Sequence, residues 1–213
     1  RGQYNSYSEG NLSLTGTTTA TSSSPSTIVP PATGKWYWEI EMKSLPSVDW
    51  PRPGTVSSDV FSLVGTWDSN DGCPGRNESG GGFRISGSGY YEIDSGGNTA
   101  GCKAYVAGDI VQFALDHDNG ALYYGVNNTW YNLSASATGD PTSGASKTGA
   151  VQTWTAGAES FLPAMQQYNL GIGIANFGQD SSFAGEKTAQ GNQDSNSVGD
   201  FYYEPPTDFL ALC

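Results

Sequence analysis

Gly34-Lys35-Trp36-Tyr37-Trp38-Glu39-Ile40-Glu41-Met42 is the sharpest local pattern in this chain. In an extended strand, successive side chains point to opposite faces. Trp36, Trp38, Ile40 and Met42 therefore share one face, and Tyr37, Glu39, Glu41 and Lys43 share the other. Period-two alternation of this kind predicts a half-buried strand, with its apolar face in a core and its charged face in water.

Downstream, the same pattern recurs in short pieces. Phe61 to Trp67, Phe83 to Ile85 and Tyr90 to Ile93 read as strands. Gly108-Asp109 introduces Ile110 to Asp116, in which Val111, Phe113 and Leu115 face one way. Asp118-Asn119-Gly120 separates that run from Ala121 to Val126, and Asn-Gly accepts positive φ at little cost, so a tight hairpin is expected there. Phe161 to Met165 and Leu170 to Phe177 are further core strands. Trp36, Trp38, Ile40, Val111, Phe113, Leu115, Ile172 and Ile174 are expected to line the gap between two stacked sheets. Upstream, the Ser/Thr run Thr17 to Ser24 admits a linker. The alternations Leu12/Leu14 and Thr27/Val29 favour edge strands. Leu45 to Gly54 is Pro-rich and reads as a loop. So do the Gly/Asn/Ser-rich stretch Asp68 to Gly82 and the long segment Ser134 to Ala158. No stretch keeps a helical period.

Composition agrees. The 213 residues suffice for one sizeable β-sandwich, and 29 Gly with 12 Tyr suit many short strands joined by tight turns. The first residue is Arg1, and Phe209-Leu210-Ala211-Leu212-Cys213 is still apolar and strand-like at the other end, so the sequence reads as a piece of a longer protein. No apolar run reaches the roughly 18 residues of a membrane helix. Nine Lys plus Arg against 21 Asp plus Glu give a net charge of −12, and no basic residue occurs between Lys103 and Lys147. That balance argues against nucleic acid and against anionic membrane surfaces as partners.

Catalytic readings are poor. The lone histidine, His117, sits beside the Asn-Gly turn and reads as a solvated hairpin residue without a nucleophile motif. Glu39 and Glu41 share a strand face, as paired glycosidase carboxylates can, yet a solvated outer face explains them better. Asp68-Ser69-Asn70-Asp71-Gly72 has oxygen ligands of a calcium loop, but its twelfth position is Ser79. From Asp116 the twelfth is Asn127, so neither completes the pattern. No metal or other cofactor is expected. Cys73, Cys102 and Cys213 match no CxxC metal spacing, and a Cys73–Cys102 bridge stays open. Asn11, Asn77, Asn127 and Asn132 begin N-x-Ser/Thr sequons that chance can supply.

Several of these pieces resemble the SPRY family when taken in order. Gly34 to Glu39 looks like its opening strand, and Val64-Gly65-Thr66-Trp67 is similar to its next one. Gly108 to Asp116 with Asn119 to Tyr124 resembles its central hairpin, followed at Asn127-Asn128 by its short turn. Leu162-Pro163-Ala164 and Asn176-Phe177-Gly178-Gln179 resemble its last strands. The resemblance spans 34–183 and implies an all-β, two-sheet antiparallel β-sandwich of the SPRY, concanavalin A-like (jelly-roll related) kind, acting as a binding scaffold. On this reading residues 1–33 are N-terminal edge strands or linker. Residues 184–213 are a C-terminal extension that packs on the sandwich or leads to a further domain. Gly139-Asp140-Pro141 and the Pro-Pro-x-x-Phe-x-Ala-Leu tail more loosely resemble SPRY-like modules embedded in bacteriophage structural proteins. That likeness implies a virion-surface setting, with other virion proteins, copies of itself or a host-surface glycan as partners. A free-standing, extracellular carbohydrate or peptide binder is the alternative, and a lectin-like glycoside hydrolase a third.

Loops on a rigid sandwich can diverge without harming the core, and aromatic side chains supply contact area with a polar edge. Among the loop or strand-end aromatics Trp50, Trp67, Tyr90, Trp130, Tyr131 and Trp154, matching to the family's loop surface selects Trp67, Tyr90 and Trp130. Asp68 and Arg76 join them as ligand-binding candidates.

Overall fold

The computed structural model describes residues 5–17, 19–59, 73–75 and 81–213. Within them are fourteen strands: β1 (Asn5–Ser8), β2 (Ser13–Gly16), β3 (Ser22–Pro25), β4 (Lys35–Ser44), β5 (Arg52–Ser57), β6 (Phe83–Ile85), β7 (Tyr90–Ile93), β8 (Thr99–Ala100), β9 (Ile110–Asp116), β10 (Ala121–Val126), β11 (Thr129–Tyr131), β12 (Gln152–Thr153), β13 (Phe161–Gln167) and β14 (Ile172–Asn176). They form two antiparallel sheets. The first runs β1-β2-β14-β4-β9-β10-β11, with β12 also on β10, and the second runs β3-β13-β5-β6-β7-β8. The expected all-β, two-sheet sandwich is what the chain adopts. The strand expected at Phe61 to Trp67 lies outside the described residues.

The gap between the sheets is filled as the alternation requires. Trp38, Ile40 and Met42 of β4 meet Val111, Phe113 and Leu115 of β9, with Phe83, Ile85, Phe161 and Met165 opposite. Trp38 stacks on Phe113 at 5.2 Å between ring centroids. The β9–β10 hairpin pairs Asp116 with Ala121 across a four-residue loop, and only its Gly120 takes positive φ. The next turn is tighter. Val126 pairs with Thr129, and Asn127 and Asn128 both sit at positive φ (49° and 63°), the primed geometry that matches strand twist. Gly54 has no room for a side chain, since a Cβ there would lie 1.9 Å from the Phe83 carbonyl oxygen.

Several expectations fail for identifiable reasons. Ile172 and Ile174 do not line the gap: Ile174 pairs with the outward-facing Glu41 across a register shift between β14 and β4, and both isoleucines pack outward on Ile110 and Phe183. Ala175 takes the inner place. The N-terminal segment strands at Ser22–Pro25 rather than at Thr27 and Val29, and Val29 is exposed. The loop from Leu45 ends at Pro51, because Pro53 and Gly54 already pair with Met165 and Ala164. Phe209–Cys213 makes a single parallel bridge, Leu210 to Trp36, instead of a strand.

The largest correction concerns the outer face of β4. Tyr37, Glu39 and Glu41 are buried, Glu39 completely. Phe201, Phe209 and Ala211 cover that face together with Ala114, Ala121 and Tyr123. Leu210 clamps the segment down, its N–H donating to the Lys35 carbonyl and its carbonyl accepting from Tyr37 N–H. Residues 200–213 thus act as a strap across the first sheet.

Candidate functional site

The titratable groups that sequence reading singled out are bound into this framework. Glu39 accepts four hydrogen bonds: from Tyr37 Oη (2.8 Å) and Tyr203 N (2.8 Å) on Oε1, and from Tyr202 N (2.9 Å) and Asn176 Nδ2 (3.2 Å) on Oε2. Burial nevertheless outweighs these donors and holds its carboxyl above the usual carboxylate range. Glu41 is raised too, chiefly by burial, with Lys187 Nζ 3.7 Å away opposing the shift. His117 is buried rather than solvated. Phe161 N–H donates to its Nε2 at 3.1 Å, which leaves Nδ1 to donate to the Pro31 carbonyl at 2.6 Å. Burial lowers its pKa, in keeping with a neutral ring pinning a hairpin to two other segments. Cys73 and Cys102 are buried and unbridged. Among the described residues no cluster of His, Cys, Asp or Glu could hold a metal ion.

Arg84 and Glu92 form a buried ion pair on the outer face of the second sheet. Arg84 Nη1 also donates to Gln166 Oε1 at 2.8 Å, tying β6 to β13. A buried pair of this kind adds little net stability, but removing one partner is costly because the other charge is left uncompensated.

Of the candidate ligand-binding residues, Trp67, Asp68 and Arg76 lie outside the described residues. Tyr90 and Trp130 fall on opposite outer faces of the sandwich. Their strand neighbours Tyr91 and Tyr131 both point into the shared core, so Tyr90 points out from the second sheet and Trp130 out from the first. Trp130 lies edge-on to Tyr37, 6.4 Å between centroids, beside the strap. Tyr131 and Trp154 are likewise committed to packing, Trp154 edge-on to Phe161 at 4.8 Å.

Tyr90 belongs instead to a rim that no sequence pattern announced. Six large apolar residues are exposed among the described ones, and four of them, Val48 (70%), Val106 (64%), Leu170 (59%) and Tyr90 (46%), lie at the end where β4 finishes and β14 begins. The loops there touch in sequence. A Cβ on Gly87 would meet the Val48 and Tyr105 carbonyls, and one on Gly171 would meet Pro51. Tyr105 Oη donates to the Pro51 carbonyl. In the middle, Trp50 carries the Arg52 guanidinium 4.1 Å above its ring and meets Tyr168 at 5.5 Å. The rim is therefore apolar, aromatic at its centre and rigidly backed. Isolated valines on loops carry no local signal; only the fold gathers them.

At the other end of β14 the sheets part. A cavity of about 540 Å³ opens there between β2, β4 and β14 on one side and β3 and β13 on the other.

No family model and no curated protein sequence matches the chain. Its structure is similar to the SPRY domain of human HERC1, with a TM-score of 0.54 and 14% sequence identity, over 82% of this chain and 91% of that one. At that identity the likeness is one of architecture alone, and the partner of one protein says nothing of the other's. The chain has a SPRY-like β-sandwich fold.

Proposed function

We propose that the chain is a non-enzymatic recognition module that docks a protein partner on the rim formed by Val48, Trp50, Tyr90, Val106 and Leu170. The observation that carries this reading is that four of the six exposed large apolar side chains among the described residues gather at one end of the molecule. Such patches are rarely left in water on a monomer without use, and aromatic centres with flanking aliphatics are what protein interfaces select. The structural employment of Glu39, Glu41 and His117 supports recognition over hydrolysis. The loose likeness of the Gly139-Asp140-Pro141 loop and the C-terminal tail to modules of bacteriophage structural proteins supports a setting on the virion surface, with another virion protein as partner. A host-surface glycan is the second reading, favoured by the Trp50–Tyr168 aromatic pair, since aromatic faces take sugar rings.

The test is a photocrosslinking residue at position 48 or 170 in the full reading frame, assembled in its native particle. Adducts with a neighbouring protein are expected from both positions, and Val106→Asp should suppress them while leaving unfolding within about 0.5 kcal/mol of the parent. Adducts only from a control position on the strap would refute the rim. Retention on a glycan array, abolished by Trp50→Ala, would select the second reading.

A further inference from the structure

The rim has a cation at its centre whose charge the surrounding chain leaves unmatched. Arg52 is half-buried, with its guanidinium 4.1 Å from the Trp50 ring centroid and its Nε donating to the Asp49 carbonyl at 3.2 Å. These two contacts hold the planar fork in place, while its Nη groups bond nothing among the described residues. Sheet register sets Arg52 beside Tyr90. Gly54 pairs with Arg84, and Arg84 with Glu92. Arg52 and Tyr90 lie two residues along from Gly54 and Glu92, so both emerge from the same outer face of the second sheet. Only β6 separates their strands, which puts the two backbones about 10 Å apart.

The other described basic side chains show what Arg52 lacks. Lys35, Lys43, Arg84 and Lys187 each have a carboxylate within 4 Å, and Arg52 has none. Lys147 gives its ammonium to the Trp154 carbonyl, and Lys103 lies over the Tyr131 ring. Burial, and then the like charge of Arg84, push the Arg52 pKa down. Asp49 opposes them from beyond ion-pair distance, its carboxylate occupied by the Ser88 hydroxyl. A guanidinium fork matches a carboxylate in two parallel hydrogen bonds, and partial desolvation strengthens such a pair. The net charge of −12 repels a strongly acidic partner. The fitting counterpart is therefore one carboxylate in an apolar surface, not an acidic run.

We infer that Arg52 is the specificity-determining contact of the rim, pairing with an aspartate or glutamate side chain that the docked protein presents among apolar residues. This rests on the rim being the docking surface. The apolar rim side chains supply contact area, and Arg52 selects which apolar surfaces are accepted.

A random hexapeptide library with amidated C-termini, selected on the purified chain, tests the contact and the rim separately, with affinities of the recovered peptides measured by calorimetry. The peptides are expected to place an Asp or Glu beside two or more apolar residues. Val106→Asp should weaken their binding by about tenfold or more. Exchanging the peptide's acid for its amide should weaken binding about tenfold on the parent, and less than about twofold on Arg52→Gln. Arg52→Glu should reject these peptides, and replacing their acid by Lys should restore binding to that variant, a rescue that a misfolded chain could not give. Rim-dependent peptides that lack an acid would overturn the carboxylate contact and leave the rim standing. So would an acid-to-amide loss as large on Arg52→Gln as on the parent. Binding indifferent to Val106→Asp, or a library that yields no saturable binder, would overturn both.

Discussion

Replacing Glu39 by Gln changes one atom's hydrogen-bonding character at the centre of the strap's anchorage. The amide oxygen can keep two of the four donors, such as Tyr37 Oη and Tyr203 N–H, but the new NH₂ group must face the Tyr202 N–H and the Asn176 amide. Two hydrogen bonds to a buried acceptor become donor–donor contacts. At about 1.5–3 kcal/mol per bond to an ionised group, holding the strap in place would cost about 3–6 kcal/mol. The alternative is to lift it, exposing Phe201 and Phe209, which at about 1.5–3 kcal/mol per buried aromatic costs much the same. Whichever route is cheaper, the loss is about 3 kcal/mol, or a fall of about 1 M in the urea midpoint for a domain of this size. Equilibrium unfolding followed by tryptophan fluorescence measures it, and amide exchange at Tyr202 and Tyr203 distinguishes the routes. A loss under about 1 kcal/mol with exchange at both amides unchanged would show that the carboxylate does not hold the strap.

Removing one partner of the buried Arg84–Glu92 pair with Glu92→Ala should cost about 3–5 kcal/mol in the same unfolding assay, because the guanidinium loses its counter-charge. The double exchange to well-fitting apolar residues should recover most of that. His117 gives a pH dependence. Its folded pKa is lowered, so the unfolded chain takes up the proton first as pH falls through about 6.5, and the contribution is full above that value and lost below it. Urea midpoints should therefore drop between pH 7 and 5.5, and His117→Gln should flatten that part of the profile. Asn128→Gly relieves a positive-φ asparagine and should raise the thermal midpoint slightly, by about 0.5 kcal/mol in stability, whereas Asn128→Val should lower it. Gly54→Ala should prevent β5 from pairing with β6 and abolish soluble folded protein on expression.

The inner half of the sandwich was legible because its information is local. Alternation in Trp36 to Met42 and in Ile110 to Asp116 marks which side chains face the core, and those of Trp38, Ile40, Met42, Val111, Phe113 and Leu115 are buried there. The outer face of β4 was misread for a physical reason. Charged residues in alternation normally mean water, and the segment that excludes water from Glu39 arrives more than 160 positions later. One clue was present: Tyr37 is a large aromatic on a face otherwise charged, and Phe201, Phe209 and Ala211 are apolar residues in need of a surface. The β14 error arose because Phe183, a residue beyond the strand, covers Ile172 and Ile174 on the outer face, while the small Gly173 and Ala175 take the inner one against Met165 and Ile40. Of the residues on the rim, Tyr90 stands out in the sequence by its aromatic character. Val48, Val106 and Leu170 do not, since their meaning lies in proximity that four separate loops create.

The three cysteines differ in exposure. Cys102 is enclosed, with its thiol pushed up to about 12 by burial, so it carries almost no thiolate at neutral pH, and Cys73 is enclosed as well. Cys213, on the strap, is exposed. A maleimide dye added to the native protein should therefore attach at one place. Its emission would then report whether the tail leaves the sheet before the body unfolds.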